Sequence, residues 1–152
     1  MNRKAKGKKH TNAKVVEADG IRFASGLELY MYTQLKAAGL DFEYEGKSFE
    51  LLPKFNFPVT CYERQGNGKG SMVDRGNKSV ARMIYTPDFI GEDFIIETKG
   101  FGTDSFRLRW KLFKYLIRNE KNIIIYKPQR QSECDEVIEL ILKHRKIKLK
   151  EV

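Results

Sequence analysis

The stretch YTPDFIGEDFIIETKG, Tyr85 to Gly100, leaves this chain few ways to fold. Its two apolar runs are too short for helices and are separated by a turn signal at Gly91-Glu92, so they predict two antiparallel strands of one hairpin. Into that hairpin the sequence sets Asp88, directly after Pro87, and then Glu97 and Lys99 near the end of the second run. Side chains two apart on a strand share a face. If the hairpin also brings Asp88 to that face, two carboxylates and an ammonium converge. Carboxylates a few ångströms apart repel, and each is pushed toward its protonated form unless a cation stands between them.

The flanking pattern gives the hairpin its setting. Residues 1–20 carry six Lys/Arg against two acids, with little apolar content, and read as a flexible basic arm. Residues 21–152 read as a single domain. SGLELYMYTQLKAAGL predicts a helix with Ser25 as N-cap, Gly39 just past its end, and Leu27, Met31, Gln34, Leu35 and Ala38 on one face. DFEYEGKSFELL alternates around a Gly-Lys turn and predicts a hairpin, and FPVTCYE predicts a strand. From Gln65 to Asn77 runs a Gly-rich basic loop insertion, where Gly66, Gly68, Gly70 and Gly76 exclude a helix. SVARMIYTPDFI then reads as one strand leading into the turn. Asp104 caps a second helix, SFRLRWKLFKYLIRNE, with Phe106, Trp110, Phe113 and Ile117 inward. NIIIY predicts a short buried strand, Ser132 opens a last helix, and the tail IKLKEV suits an edge strand. The order is helix, three or four antiparallel strands, helix, strand, helix. That is an α/β fold, a mixed β-sheet with helices packed on it.

Composition limits the function classes. A chain of 152 residues with 41% hydrophobic content can bury one core. It has no apolar run of about 18 residues, so no transmembrane helix and no membrane partner are expected. The N-terminus lacks the apolar segment of a secretory signal, and Cys61 and Cys134 are too few for a disulfide framework or a zinc site. A cytoplasmic protein is expected. The net charge of +9 lies at both ends and in residues 62–84, which carry five Lys/Arg against two acids, a distribution suited to a polyanion. Arg107, Lys111, Lys114 and Arg118 recur at i, i+4, i+7 and i+11 and predict a phosphate-contacting helix face. Lys69 and Arg75 make the Gly-rich loop a candidate DNA-contacting element. GNGKG lacks the spacing of a nucleotide loop. His10 and His144 have no carboxylate or serine constellation around them, which argues against histidine-based nuclease chemistry.

Alone, Glu97-x-Lys99 is an ordinary exposed pair on an edge strand. Joined to Pro87-Asp88 across a hairpin, it becomes a candidate site. Hard oxygen donors of this kind favour magnesium or manganese over zinc. A metal there would lower the pKa of a bound water and offset charge on a phosphate, and Lys99 would orient that water or stabilise developing charge.

YTPDF followed by FIIETKG resembles the signature of the PD-(D/E)XK nucleases, Pro87-Asp88 and then Glu97-x-Lys99. FASGLELYMYTQLKAAGLDFEYE resembles the opening of the phage endonuclease I branch, the junction-resolving enzymes of that superfamily. The resemblance covers about Arg22 to Trp110. It implies a restriction endonuclease-like core, a mixed sheet flanked by helices in the order αβββαβ. It implies Asp88 and Glu97 as metal-binding carboxylates, the Thr98 backbone carbonyl as a further ligand, and Lys99 as the catalytic lysine. Glu28 matches an acidic residue that reaches the metal site from the first helix. Ser25-x-x-Glu28 is equally a capping box, and one carboxylate cannot fully cap and fully coordinate at once. The implied activity is Mg2+-dependent endonuclease cleavage, with Mn2+ substituting, leaving a 5′-phosphate in branched DNA such as Holliday junctions. The resemblance also implies a homodimer and a phage origin, hence a bacterial host cytoplasm. The alternatives are a restriction-like or repair-type nicking nuclease on duplex DNA, with the Gly-rich loop as its specificity element, and a catalytically idle DNA-binding protein on the same fold.

Overall fold

The computed structural model describes residues 14–64 and 66–150. Strands β1 (Val16–Ala18) and β2 (Ile21–Phe23) precede helix α1 (Gly26–Ala37). Then come β3 (Glu43–Tyr44), β4 (Phe49–Leu52), β5 (Phe55–Phe57), β6 (Tyr62–Glu63), β7 (Val73–Asp74), β8 (Lys78–Val80), β9 (Met83–Tyr85), β10 (Phe89–Ile90) and β11 (Phe94–Ile96). Helix α2 (Asp104–Leu116), strand β12 (Ile124–Tyr126) and helix α3 (Gln131–Lys150) follow. The α/β class read from the sequence is what the chain adopts. The chain divides into two compact units, each discontinuous in sequence. Residues 14–44, Asp88–Phe101 and 123–150 form the first; Glu45–Pro87 and Gly102–Asn122 form the second.

The first unit is built on a four-stranded mixed sheet in the order β12-β11-β10-β3. The expected hairpin is present: β10 and β11 run antiparallel with Phe89 opposite Ile96 and Ile90 opposite Ile95. β3 lies antiparallel to β10, and β12 parallel to β11. Helix α1 begins where Ser25 accepts the Glu28 N–H and ends at Ala38, with Gly39 in the left-handed region that a C′ residue favours. Its stripe buries Met31 and Leu35 against Phe89, Phe94 and Ile96 of the hairpin, Tyr126 of β12, and Cys134, Val137 and Ile141 of α3. Each such side chain contributes roughly 1.5–3 kcal/mol by leaving water. Phe23, Tyr32, Phe42, Tyr44 and Phe89 extend this core as a chain of rings with centroids 4.8 to 5.7 Å apart.

The second unit consists of nested antiparallel pairs, β4 with β9, β5 with β8 and β6 with β7, together with α2. Phe49, Tyr85 and the half-buried Trp110 gather around the fully buried Phe113, at centroid distances of 5.1, 4.7 and 5.8 Å.

Several local expectations are corrected. Residues 1–13 of the expected arm lie outside the described residues, but its last part forms β1. Asp19 and Gly20, at φ 53° and 74°, make the tight turn into β2 that Asp-Gly favours. DFEYEGKSFELL is not a hairpin, because β3 pairs with β10 and β4 with β9; Phe42 and Tyr44 find in Phe89 a buried ring that the half-exposed β4 does not offer. SVARMIYTPDFI is three strands, and the break between the last two falls at Pro87, which has no N–H for a ladder. The Gly-rich loop is shorter than 65–77, because Val73–Asp74 pairs with Tyr62–Glu63; Gln65 lies outside the described residues. Thr103, not Asp104, caps α2, accepting the Phe106 N–H at 3.2 Å, while Asp104 occupies the first helical position, where its charge suits the dipole. The last helix starts at Gln131 and continues to Lys150, so Ile147–Lys150 is helix, not an edge strand. Four alternating residues cannot distinguish the two periods, and Lys and Leu are strong helix formers. Residues 151–152 lie outside the described residues.

Candidate active site

The β10–β11 pairing ends at Phe89 opposite Ile96, so Asp88 and Glu97 come just beyond the last paired residues of the two strands. Beyond β11 the backbone keeps its pairing with the segment after β12: Glu97 N–H donates to the Tyr126 carbonyl and Lys99 N–H to the Pro128 carbonyl, each at 3.0 Å. That continuation holds Glu97 and Lys99 on one face. Thr98, between them, turns to Asp88, whose Oδ2 accepts from the Thr98 N–H and from its hydroxyl, both at 2.6 Å. Glu97 and Thr98 are only 6% and 5% exposed; Lys99 is half-buried. Burial pushes the Asp88 carboxyl up to about 6, and the Glu28 charge acts in the same direction. The Thr98 hydrogen bonds and the Lys99 ammonium oppose this and do not prevail.

Glu28, 7% exposed, is held as a cap. Its Oε2 accepts from the Ala24 N–H at 3.0 Å and the Tyr44 hydroxyl at 2.7 Å, and its Oε1 from the Ser25 hydroxyl at 3.1 Å. The capping box is therefore formed, reaching one residue further back than the N-cap amide expected for it. Both oxygens have protein donors, so Glu28 contributes a fixed negative charge near Asp88. Tyr44 was not singled out from the sequence, although it lies in the FEYE segment; only the pairing of β3 with β10 reveals its use.

A cavity of about 700 Å³ opens here, with Ser25, Glu28, Thr98, Lys99, Phe101 and Arg130 among its walls. Asp88 and Glu97 are not wall residues, but Thr98 and Lys99 beside them are. The cavity lies past the carboxyl ends of the parallel strands β11 and β12, where open α/β sheets place ligands. Arg130, which pairs with Glu133 at 3.0 Å, is a wall cation that sequence reasoning missed; its signal was its place just after a parallel strand.

The expected DNA-contacting residues belong to the second unit. Arg107, Lys111, Lys114 and Arg118 are all exposed. Arg107 stands 3.5 Å from Asp104, and the Arg118 guanidinium lies 3.9 Å from the Tyr115 ring centroid. Lys69 is exposed, whereas Arg75 is half-buried and its Nε has no hydrogen-bond partner among the described residues.

Among the described residues, no group of three or more Asp, Glu, His or Cys side chains stands ready to hold a metal ion. What the site offers is two carboxylates, Asp88 and Glu97, and the Thr98 carbonyl. These are hard oxygen donors, and one of them is driven toward protonation because the nearby cation does not balance it. Such a set fits a divalent ion that keeps several waters. It fits without Glu28.

Fold and site thus define an α/β protein with a carboxylate–lysine cluster at the open ends of two parallel strands. A family model described as Protein of unknown function (DUF1064) matches residues 8–133, and the chain belongs to that family. No curated protein and no solved structure matches it. None of the described helices is long and apolar enough to cross a membrane.

Proposed function

We propose that this chain is a metal-dependent endodeoxyribonuclease that cleaves branched DNA, Holliday junctions among its substrates, in the manner of the PD-(D/E)XK enzymes. The observation that supports this reading is the end of the hairpin, where Asp88 is hydrogen-bonded to Thr98, the residue between Glu97 and Lys99. With β4 to β9 set aside as an insertion, the strands of the four-stranded sheet and the first two helices follow in the order α1, β3, β10, β11, α2, β12, and αβββαβ is the order the resemblance implies.

A magnesium ion, or manganese in its place, would supply Lewis acidity and a water of lowered pKa. Asp88 and Glu97 would hold it with the Thr98 carbonyl. Thr98 fixes Asp88 through two hydrogen bonds, so the carboxylate is oriented before any ligand arrives. Lys99, on the cavity wall, would place its ammonium against the scissile phosphate, where charge develops. Glu28 secures the start of α1 and the Tyr44 hydroxyl, and its charge favours a cation beside Asp88. The exposed basic face of α2 would take phosphates of the flanking strands. The homodimer and the phage setting accompany the proposal through the resemblance alone.

The test is to incubate the protein with a labelled four-way junction and a matched linear duplex, in magnesium or EDTA, beside Asp88→Asn. Magnesium-dependent cutting of the junction, lost in the variant while DNA binding persists, is expected. Equal cutting of the linear duplex would replace branched DNA by duplex nicking. Binding with no cutting of either substrate would leave a DNA-binding protein and overturn the enzyme.

A further inference from the structure

The Gly-rich loop stands at the tip of a two-stranded ribbon. Phe55 pairs with Val80, Phe57 with Lys78, Tyr62 with Asp74 and Glu63 with Val73, so Phe55–Val80 carries two short antiparallel pairs in succession, with an irregularity between Phe57 and Tyr62. The ladder is pinned at that irregularity. Asp74 accepts the Cys61 and Gly76 N–H groups at 3.1 and 2.8 Å, and the Arg75 N–H donates to the Cys61 carbonyl at 2.7 Å. Yet almost nothing covers it. Of the described residues from 54 to 82, only Gly76 is buried, and only Phe57, Cys61 and Arg75 are half-buried. Tyr62 is 62% exposed, and Phe55, Met72 and Val73 are exposed as well. A bare two-stranded ribbon is marginal in water, so this one is built to be covered by something.

Its charge says by what. The segment carries Lys54, Arg64, Lys69, Arg75, Lys78 and Arg82 against Glu63 and Asp74, and Asp74 is turned to backbone N–H groups. A second copy of the same ribbon would bring the same excess positive charge to any edge pairing, which opposes self-association. A polyanion is favoured instead. The major groove of B-DNA, about 12 Å wide, admits a two-stranded ribbon. One side of the ribbon is β5 and β6 with four irregular residues between them, and even fully extended its nine residues reach at most about 30 Å, within one helical turn.

We infer that the ribbon of residues 54–64 and 66–82 is an arm that enters the major groove of duplex DNA, with its Lys and Arg side chains on the flanking phosphates and exposed Tyr62 and Phe55 against base edges. The inference deepens the nuclease reading by naming how the duplex arms of its substrate are gripped, and it rests on DNA being the partner.

The test uses the full chain in EDTA, so it needs no cleavage. Binding to a labelled duplex is followed against salt for the wild type, for a variant with Arg64, Lys69, Lys78 and Arg82 all changed to Gln, and for a control with Lys143, Lys146, Lys148 and Lys150 changed to Gln. Thermal melts check that each variant is folded. Dimethyl sulfate protection then reads guanine N7 in the major groove and adenine N3 in the minor groove of the same duplex. The wild type is expected to protect guanine N7. The ribbon variant is expected to lose that protection, at least tenfold in affinity, and about 3 to 4 in the slope of log K against log salt, roughly 0.9 per phosphate contact. The control is expected to keep the N7 protection. Protection of adenine N3 alone, equal losses in ribbon variant and control, or a ribbon variant that binds like the wild type would each overturn the arm. A wild type that protects N7 but never cuts DNA would overturn the nuclease and leave the arm standing.

Discussion

Asp88 sits where ionisation is opposed by burial and by Glu28, yet its Oδ2 is gripped by two Thr98 donors. Its carboxyl titrates at about 6 in the folded protein, above the ordinary value of about 3.9. The folded state therefore holds this proton more tightly than the unfolded chain. The resulting stability is fully present below about pH 4 and is lost as pH rises through about 6, by up to roughly 3 kcal/mol. Asp88→Asn keeps an acceptor for the Thr98 N–H and removes the titration. In EDTA, urea unfolding should show wild-type stability falling from pH 4 to 7 and the variant lacking that fall, so that Asp88→Asn is the more stable protein at pH 7. Identical pH profiles would mean that burial does not strain this carboxyl. The place of Asp88, Glu97 and Lys99 at one end of a hairpin was legible in the sequence because two short apolar runs and one turn announce that hairpin. Tyr44 and Arg130 were not, because each reaches the site through pairings between distant segments.

At the scale of elements, turn and cap chemistry decides most outcomes. Ser25 and Gly39 announced α1 because each does a local job that few other residues do. The ribbon was hidden because Gly66, Gly68 and Gly70 do mark a turn, whereas Gly76 serves a different purpose. A Cβ at Gly76 would run into the carbonyl oxygen of Val59, so glycine is needed there for close approach of the two backbones. Gly76→Ala should open the ribbon at its pinned point, with a local loss of roughly 1–3 kcal/mol. Trypsin cleavage at Arg75 and Lys78 should then become several-fold faster than in the wild type. Unchanged protection would show that the ladder does not depend on that contact. The end of α3 was misread because IKLK satisfies both periods equally.

At the scale of the whole molecule, the first unit is assembled from three separated stretches of chain, a division that local patterns cannot announce. Its last helix is tied back to the hairpin turn: Arg145 donates to both carboxylate oxygens of Asp93, at 3.0 and 2.7 Å, and holds that carboxyl below its usual range. Both partners are partly buried, between the exposed pairs that contribute about 0–1 kcal/mol and the buried ones whose breakage costs about 3–5. Arg145→Ala should lower the unfolding free energy by about 1–3 kcal/mol, read from the urea midpoint; no shift would reduce the pair to a surface contact. The net charge of +9 and its clustering were plain from composition, whereas the collection of Glu28, Asp88, Glu97 and Lys99 within one unit needed the fold. Whether that collection exists to hold a divalent cation is most directly answered by Mn2+ binding, followed through the electron paramagnetic resonance of the free aqua ion. It is measured for the wild type, Asp88→Asn and Glu97→Gln side by side. A saturable site in the wild type that is lost in both variants is the expected result. Equal binding by all three proteins, or none by any, would contradict it.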